Sequence, residues 1–192
     1  MASRNRVTPY GEIVVSSLRG SWMGNRGCIH AEREIVRPWN GKRWITCALA
    51  FKGWVAPKWA PGRWTALFFH DEAVAFAAGH RPCALCRRGA YDRYRDALGV
   101  GGADAIDARL HAERRDGRVK QLHVLAWRGL PTGSFVDVDG VPYLVLNDRL
   151  RAWSSRSGYG DEHARPPRGD ARVLTPPASL AVLDAGYELQ IG

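Results

Sequence analysis

The chain has 192 residues, of which 45% are hydrophobic and 24% charged, and its formal net charge is +9. This length suffices for one large or two small domains with a real core, and the composition is that of an ordinary globular protein. No run of about 18 apolar residues occurs, which excludes a membrane-spanning helix, and the first residues lack the apolar stretch of a secretory signal. We therefore expect a cytoplasmic protein, and its reducing surroundings favour metal binding over disulfides for the four cysteines.

Residues 10–69 have the composition of a β-rich segment. Apolar and β-branched residues predict strands at 12–18 and 35–36, and an apolar run at 44–51 predicts a buried strand. A loop with two prolines and a glycine follows, and the run 64–69 predicts one further strand. We expect a β-rich N-terminal part.

Helix signals dominate the middle of the chain. Asp71 is a suitable N-cap for a helix over 72–78, which Gly79 would end. After the Cys-x-x-Cys motif, residues 87–98 place tyrosines and a leucine on one helical face and end at a glycine, and residues 103–115 carry a second apolar stripe. The sequence predicts a helical middle around Cys83 and Cys86.

Strand signals return after residue 118. Strands are predicted at 119–127, 134–138 and 141–146, the last two joined through Asp139-Gly140 as a hairpin. Residues 159–169 predict a loop, residues 176–185 a helix capped by Thr175, and residues 187–191 an edge strand. The expected class is α+β, zinc-stabilised, with a zinc-binding, basic part over 1–117 and a β-rich part over 118–192 that could pack with the first as one domain.

The Cys-x-x-Cys motif at Cys83 and Cys86 follows His80-Arg81-Pro82 and precedes Arg87-Arg88. Two thiolates at this spacing can point at one centre, which is typical of tetrahedral zinc sites. Redox motifs share the spacing, but no βαβ unit is visible around this one. Two unrelated buried free cysteines are the other alternative, because cysteine packs well as a small hydrophobe. Zinc is the interpretation that we favour.

Three residues are candidates for the remaining zinc ligands. Cys47 lies in the predicted buried strand, and Cys28 lies in a glycine-punctuated loop two residues before His30. The simplest site contains Cys28, Cys47, Cys83 and Cys86, with His30 as the substitute for Cys28.

Positive charge is concentrated before residue 71, where 11 Lys and Arg stand against 3 Asp and Glu, and six of the eight tryptophans lie in the first 64 residues. Interleaved aromatic and cationic side chains are typical of nucleic-acid binders, because guanidinium groups contact phosphates and aromatic rings stack on bases. Any single tryptophan is equally consistent with a core position. The candidate nucleic-acid contacts are Trp22, Arg26, Arg81, Arg87 and Arg88.

The segment from Asp71 to Cys86, with the sequence DEAVAFAAGHRPCALC, resembles the zinc-binding N-terminal domain of Ada-type DNA alkylation-repair proteins. In that family an alanine-rich helix ending in Ala-Gly leads into x-R-P-C-x-x-C. The resemblance implies a zinc held by four cysteines and DNA-backbone contacts near it. The family's other two ligands form a C-x-x-x-C pair, which this sequence lacks. The overall pattern resembles an uncharacterised bacterial protein family, which supplies no activity.

These observations lead to two hypotheses on function. The first is a zinc-dependent protein that binds nucleic acid, DNA above all, or is associated with DNA repair. The second is a zinc hydrolase or nucleic-acid-processing enzyme, since a catalytic zinc keeps one coordination position open. In that case Asn25 and His30 would be polar groups of the active site. No signature of a catalytic triad, HExxH motif or carboxylate pair sharpens the second hypothesis.

Overall fold

The computed structural model describes residues 3–53 and 59–192. In this part of the chain, two six-stranded sheets and two short two-stranded ribbons are combined with four α-helices. The predicted loop between the strands 44–51 and 64–69 falls largely outside the described residues.

The N-terminal sheet is mixed, with strand order β2-β1-β7-β3-β6-β8. Strands β1 and β7 pair in parallel, as do β6 and β8, and the other neighbours are antiparallel. A ribbon of β4 and β5 lies outside this sheet. The strands of this half are β1 Arg4–Val7, β2 Ile13–Val15, β3 Trp22–Asn25, β4 His30–Ala31, β5 Glu34–Ile35, β6 Ile45–Cys47, β7 Leu67–Phe69 and β8 Arg81–Pro82.

The C-terminal sheet is antiparallel throughout, with strand order β11-β16-β12-β13-β14-β15. A second ribbon, β9 with β10, connects the helices to this sheet. The strands are β9 Arg115–Asp116, β10 Val119–Lys120, β11 His123–Ala126, β12 Phe135–Val138, β13 Val141–Val145, β14 Arg149–Ser154, β15 Gly158–Ala164 and β16 Asp170–Val173.

The described helices are α1 Glu72–Ala77, α2 Arg88–Leu98, α3 Ala103–Arg114 and α4 Pro177–Asp184. The Asp71 side chain accepts a hydrogen bond from the Val74 amide at 2.9 Å and so caps α1, as the sequence predicts. Helices α2, α3 and α4 share one apolar cluster with Phe76 of α1. A second cluster joins the two halves of the chain, since it contains Phe69 and Val74 together with Phe135, Trp153 and Leu174.

The predicted helical middle is wrong. The class is mixed α+β, but strands make up 31% of the chain and helices 22%, and the two six-stranded sheets dominate. The segment before the Cys-x-x-Cys motif is drawn into the N-terminal sheet as β8, because Arg81 and Cys83 donate backbone hydrogen bonds to Trp44 and Thr46 at 3.2 and 2.9 Å. Short sequence signals do not reveal such pairing between distant strands.

The sequence predicted the hairpin turn of the C-terminal half correctly, but it did not place the edge strand correctly. The Asp139-Gly140 hairpin is confirmed, with both residues at positive φ as a type I′ turn needs. Residues 159–169 contain much of β15, an edge strand whose exposed, polar residues resemble a loop in sequence. Residues 187–191 form no strand, because the Gln190 backbone bonds to Glu72 instead. Thr175 does not cap α4, since its hydroxyl accepts from the Phe135 amide at 2.8 Å.

Candidate metal centre

Three cysteines meet at the edge of the N-terminal sheet. Cys47 ends β6, and Cys83 and Cys86 lie in the turn that follows β8. Because β6 and β8 run parallel with Thr46 opposite Pro82, Cys47 and Cys83 leave the sheet side by side. The three sulfur atoms all lie within 4.8 Å of one another, with Cys47 and Cys83 buried and Cys86 half-buried.

The surroundings of Cys83 favour the thiolate form. The thiols of Cys47 and Cys86 donate hydrogen bonds to its sulfur and lower its pKa, and the backbone amides of Leu85 and Cys86 add to this effect. The Leu85 amide lies 3.4 Å from the sulfur. Hydrogen bonds to thiolate sulfur are the expected support for a metal ligand. The pKa of the Cys47 thiol is raised, because its proton is shared with Cys83 and Cys86 and because the thiol is buried.

Cys28 and His30 lie apart from this cluster. Cys28 is half-buried and is not among the thiols that converge. His30 is buried, with its Nδ1 2.6 Å from the Thr65 hydroxyl and its ring edge-on to Trp59. Asn25 lines a different cleft, beside Lys42 and Arg43. In the part of the chain that the structure describes, the site therefore contains three of the four predicted cysteines.

Buried arginines surround the cluster. Arg87, the residue after Cys86, donates to the Glu72 carboxylate and, at 2.7 Å, to the Thr46 hydroxyl, and its guanidinium carbon lies 3.7 Å from the centre of the Trp22 ring. Arg81 forms a two-pronged pair with Asp107 at 2.9 and 2.7 Å. These bonds hold the two ends of the Cys-x-x-Cys turn against α1 and α3.

The predicted nucleic-acid contacts are therefore divided between interior and surface. Arg26, Arg81 and Arg87 are at most 9% exposed, so their guanidinium groups are not available to a phosphate at the surface. Trp22 is half-buried under Arg87. Arg88 alone has an exposed side chain, and it pairs with Asp92 at 3.0 Å. The physical reason is that each buried guanidinium finds its partner in the interior: carboxylates for Arg81 and Arg87, a carbonyl and His80 for Arg26.

Sequence reasoning missed the partners of these arginines. Glu72 has the appearance of an ordinary acidic residue in the first turn of a helix, and Asp107 that of a polar residue on a helical face. No spacing in the sequence links Asp107 to Arg81, 26 residues earlier. Both pairs are buried, which only the packed structure shows.

The donor set suits a metal ion. Three converging thiols with hydrogen-bonded sulfur can hold an ion that prefers soft ligands. Among known proteins, no family model, curated protein or solved structure matches the chain. None of the described helices has the length and apolar character needed to cross a membrane.

Proposed function

We propose that the protein binds zinc and nucleic acid, and that the nucleic acid is DNA. The observation that carries the proposal is the convergence of Cys47 with Cys83 and Cys86, from two separate segments of the sequence, onto one centre. A zinc ion there would fasten β6, β8 and the start of α2 to one another. Structural zinc contributes about 10 kcal/mol or more to folding, which would offset the small amount of regular structure in the N-terminal sheet.

Zinc is the favoured ion because the donors are thiols. Thiolates select Zn²⁺, Cu(I) and iron–sulfur clusters over the harder divalent ions. A structural zinc is four-coordinate, so this centre needs one ligand besides the three described sulfur atoms. The resemblance of residues 71–86 to Ada-type domains, which implies a zinc held by four cysteines, also supports zinc.

The nucleic-acid part of the proposal rests on exposed charge. Among the described residues before 71, eight Lys and Arg side chains are exposed against three Glu side chains, although Arg26 is buried. Such a surface attracts a polyanion and releases its counterions on binding. The exposed cations are Arg4, Arg19, Arg33, Arg37, Lys42, Arg43, Lys52 and Arg63.

The metal is tested by measuring zinc per chain after purification. We expect one zinc in the wild type and in Cys28→Ser, because Cys28 lies apart from the cluster. We expect none in the double variant Cys83→Ser/Cys86→Ser. Stoichiometric zinc in the double variant would contradict the site, and loss of zinc in the folded Cys28→Ser variant would show that Cys28 is a ligand after all.

Nucleic-acid binding is tested by fluorescence anisotropy with labelled single- and double-stranded DNA and RNA. We expect affinity to fall steeply between about 50 and about 200 mM salt, as counterion release requires. The variant Arg128→Gln/Arg156→Gln removes two exposed cations from the C-terminal half and should bind as the wild type does, whereas Arg33→Gln/Arg43→Gln, which removes two from the N-terminal surface, should bind more weakly. No binding of any of these nucleic acids at about 50 mM salt would refute this part of the proposal.

One observation favours the hydrolase as a second candidate: the described cluster has three ligands, the number found in catalytic zinc sites. Against it, three thiolates carry more negative charge than one Zn²⁺ neutralises, which weakens the metal as a Lewis acid. Cobalt substitution distinguishes the two candidates. A spectrum that changes when a small ligand such as cyanide is added would indicate an open position, and an unchanged spectrum would indicate a closed structural site.

A further inference from the structure

A second feature of the molecule is a basic groove of about 730 Å³ between the β1–β2 hairpin, the segment after β5 and the β9–β10 ribbon. Five cationic side chains line it and one carboxylate, Glu12, opposes them. The cations are Arg4, Arg37, Arg115, Arg118 and Lys120. The volume is that of a site for a small ligand or for a short stretch of a polymer.

Behind the groove lies an unusual stack of charges. The Trp44 ring is 1% exposed and contacts two guanidinium groups, with Arg26 at 3.9 Å and Arg114 at 4.0 Å from the ring centre. Arg26 donates to the Gly11 carbonyl at 2.8 Å, and Arg114 donates to the carbonyls of Gly79 and Lys42. The aromatic ring and the carbonyls stabilise these cations without neutralising them.

The cations of this region lack carboxylate partners. In residues 3–53 and 59–192, no ion pair involves Arg26, Arg114, Arg115 or Lys120. The remaining residues of the chain contain no Asp or Glu that could supply one. Burial first, and then the neighbouring arginines, lower the pKa of Arg26 and of Lys120. The pKa of Arg114 falls to about 9, chiefly through burial.

Two arginine side chains next to this groove have hydrogen-bond donors that no described residue accepts. Arg26 Nη2 and Arg115 Nε are buried and have no hydrogen-bond partner among residues 3–53 and 59–192. The Nη2 atom lies 3.5 Å from the point where a Cβ on Gly11 would stand, and Gly11 lines the groove. Arg26 also reaches the carbonyl of Pro38, another residue of the groove wall, at 3.5 Å. A buried guanidinium with an unsatisfied donor directly behind the wall keeps its positive charge unneutralised next to the groove, which favours an anion there.

We infer that this groove binds phosphate groups, supplied by a nucleic-acid backbone or by a free polyphosphate. Arg37 and Arg118 would contact the phosphate oxygens from the rim, and the guanidinium groups behind the wall would add a positive potential that water does not screen. That a nucleic acid supplies the phosphate groups rests on the function proposed above, whereas binding of a free polyphosphate is argued from the groove alone. The groove is lined by none of the three clustered cysteines, so this site is separate from the metal centre.

The test uses the zinc-loaded full chain and two probes, inorganic pyrophosphate and a labelled single-stranded DNA of twelve nucleotides. The groove variant is Arg37→Gln/Arg118→Gln, which removes two exposed rim cations. The matched control is Arg128→Gln/Arg156→Gln, which removes two exposed cations outside both the groove and the cationic N-terminal surface. We expect pyrophosphate to raise the thermal unfolding midpoint of the wild type and of the control. In the groove variant, we expect the affinity for pyrophosphate to fall about tenfold or more.

The two probes separate this inference from the proposed function. If both probes bind and the groove variant weakens both, the groove and the nucleic-acid source are supported. If only pyrophosphate binds, and through the groove, the inference stands and nucleic-acid binding is refuted. If DNA binds but the groove variant and the control lose equal affinity, the inference is overturned and the proposed function stands. If neither probe binds, both are overturned.

Discussion

A buried arginine stabilises this protein only as long as its partner stays in place. Glu72 is 1% exposed, and its carboxylate accepts hydrogen bonds from Arg87, from the Tyr187 hydroxyl at 2.9 Å and from the Gln190 amide at 3.2 Å. One carboxylate thus connects the Cys-x-x-Cys turn to the last residues of the chain. Its removal would leave a buried guanidinium without a countercharge.

We therefore expect Glu72→Gln to lower the free energy of unfolding by about 3–5 kcal/mol. The matched control is Asp92→Asn, which removes the partner of the exposed Arg88 and should cost about 1 kcal/mol or less. Urea unfolding of the zinc-loaded proteins measures both changes. Equal losses in the two variants would show that burial of the Glu72 pair has no special importance.

His80 makes stability depend on pH. Burial, followed by repulsion from Arg26 and Arg114, lowers the pKa of this histidine. Its Nε2 accepts a hydrogen bond from Arg26 Nε at 3.2 Å, which only the neutral ring can do. Because the unfolded chain binds the proton more readily, stability is full above pH ~6.5 and decreases as the pH falls below it, by up to about 1.4 kcal/mol per unit.

This prediction is checked by measuring unfolding free energies from pH 5 to 8 in the wild type and in His80→Gln. The variant keeps an acceptor but cannot titrate, so its stability should change less between pH 6.5 and 5. Protonation of the cysteines and loss of metal affect both proteins alike, and the difference between the two curves isolates the histidine. Parallel curves would show that His80 does not contribute.

At the scale of elements, the connection between α1 and β8 depends on one glycine. Gly79 has φ +86°, and a Cβ added there would lie 2.6 Å from Arg114 Cδ and 2.8 Å from Arg114 Cβ. Gly99, which ends α2, has φ +65° with nothing within 4 Å of such a Cβ. The two positions share the left-handed backbone and differ in the space around it.

We expect Gly99→Ala to cost roughly 1–2 kcal/mol, the strain of a left-handed residue with a side chain. Gly79→Ala should cost clearly more, because the new methyl group also displaces Arg114 from the Trp44 ring. Thermal or urea unfolding of the two variants gives the comparison. Similar losses would show that Arg114 moves aside freely, in which case the stack of Arg26, Trp44 and Arg114 is not rigid.

At the scale of the whole molecule, the shared core predicts cooperative unfolding. The cluster that contains Val7, Phe69 and Val74 also contains Phe135 and Leu174, so neither sheet keeps a complete core without the other. We expect tryptophan fluorescence and far-ultraviolet circular dichroism to report one coincident transition. A chelator should lower the midpoint of the wild type and, by a similar amount, that of Cys28→Ser, which keeps the three clustered cysteines. Two separate transitions, one of them insensitive to the chelator, would contradict this expectation.

Features that depend on neighbouring residues can be predicted from the sequence. The Asp71 cap, the Asp139-Gly140 hairpin and the Cys83–Cys86 spacing are set within a few positions, where side-chain chemistry acts directly on the backbone. Mixed α+β composition followed from the same local signals. Local signals could not predict the pairing of β6 with β8, because a parallel pair joins segments that are far apart in the chain.

Which of the predicted site residues lie together depends on the tertiary structure. Cys47 joins Cys83 and Cys86 because strand pairing brings β6 beside β8, and Cys28 lies outside because none of the described strand pairs carries its loop there. Arginines that looked like surface contacts became interior ones, since burial of a charge depends on a distant partner such as Glu72 or Asp107. Net charge is a property of composition, but the place where that charge lacks a countercharge, as around Trp44, is a property of packing.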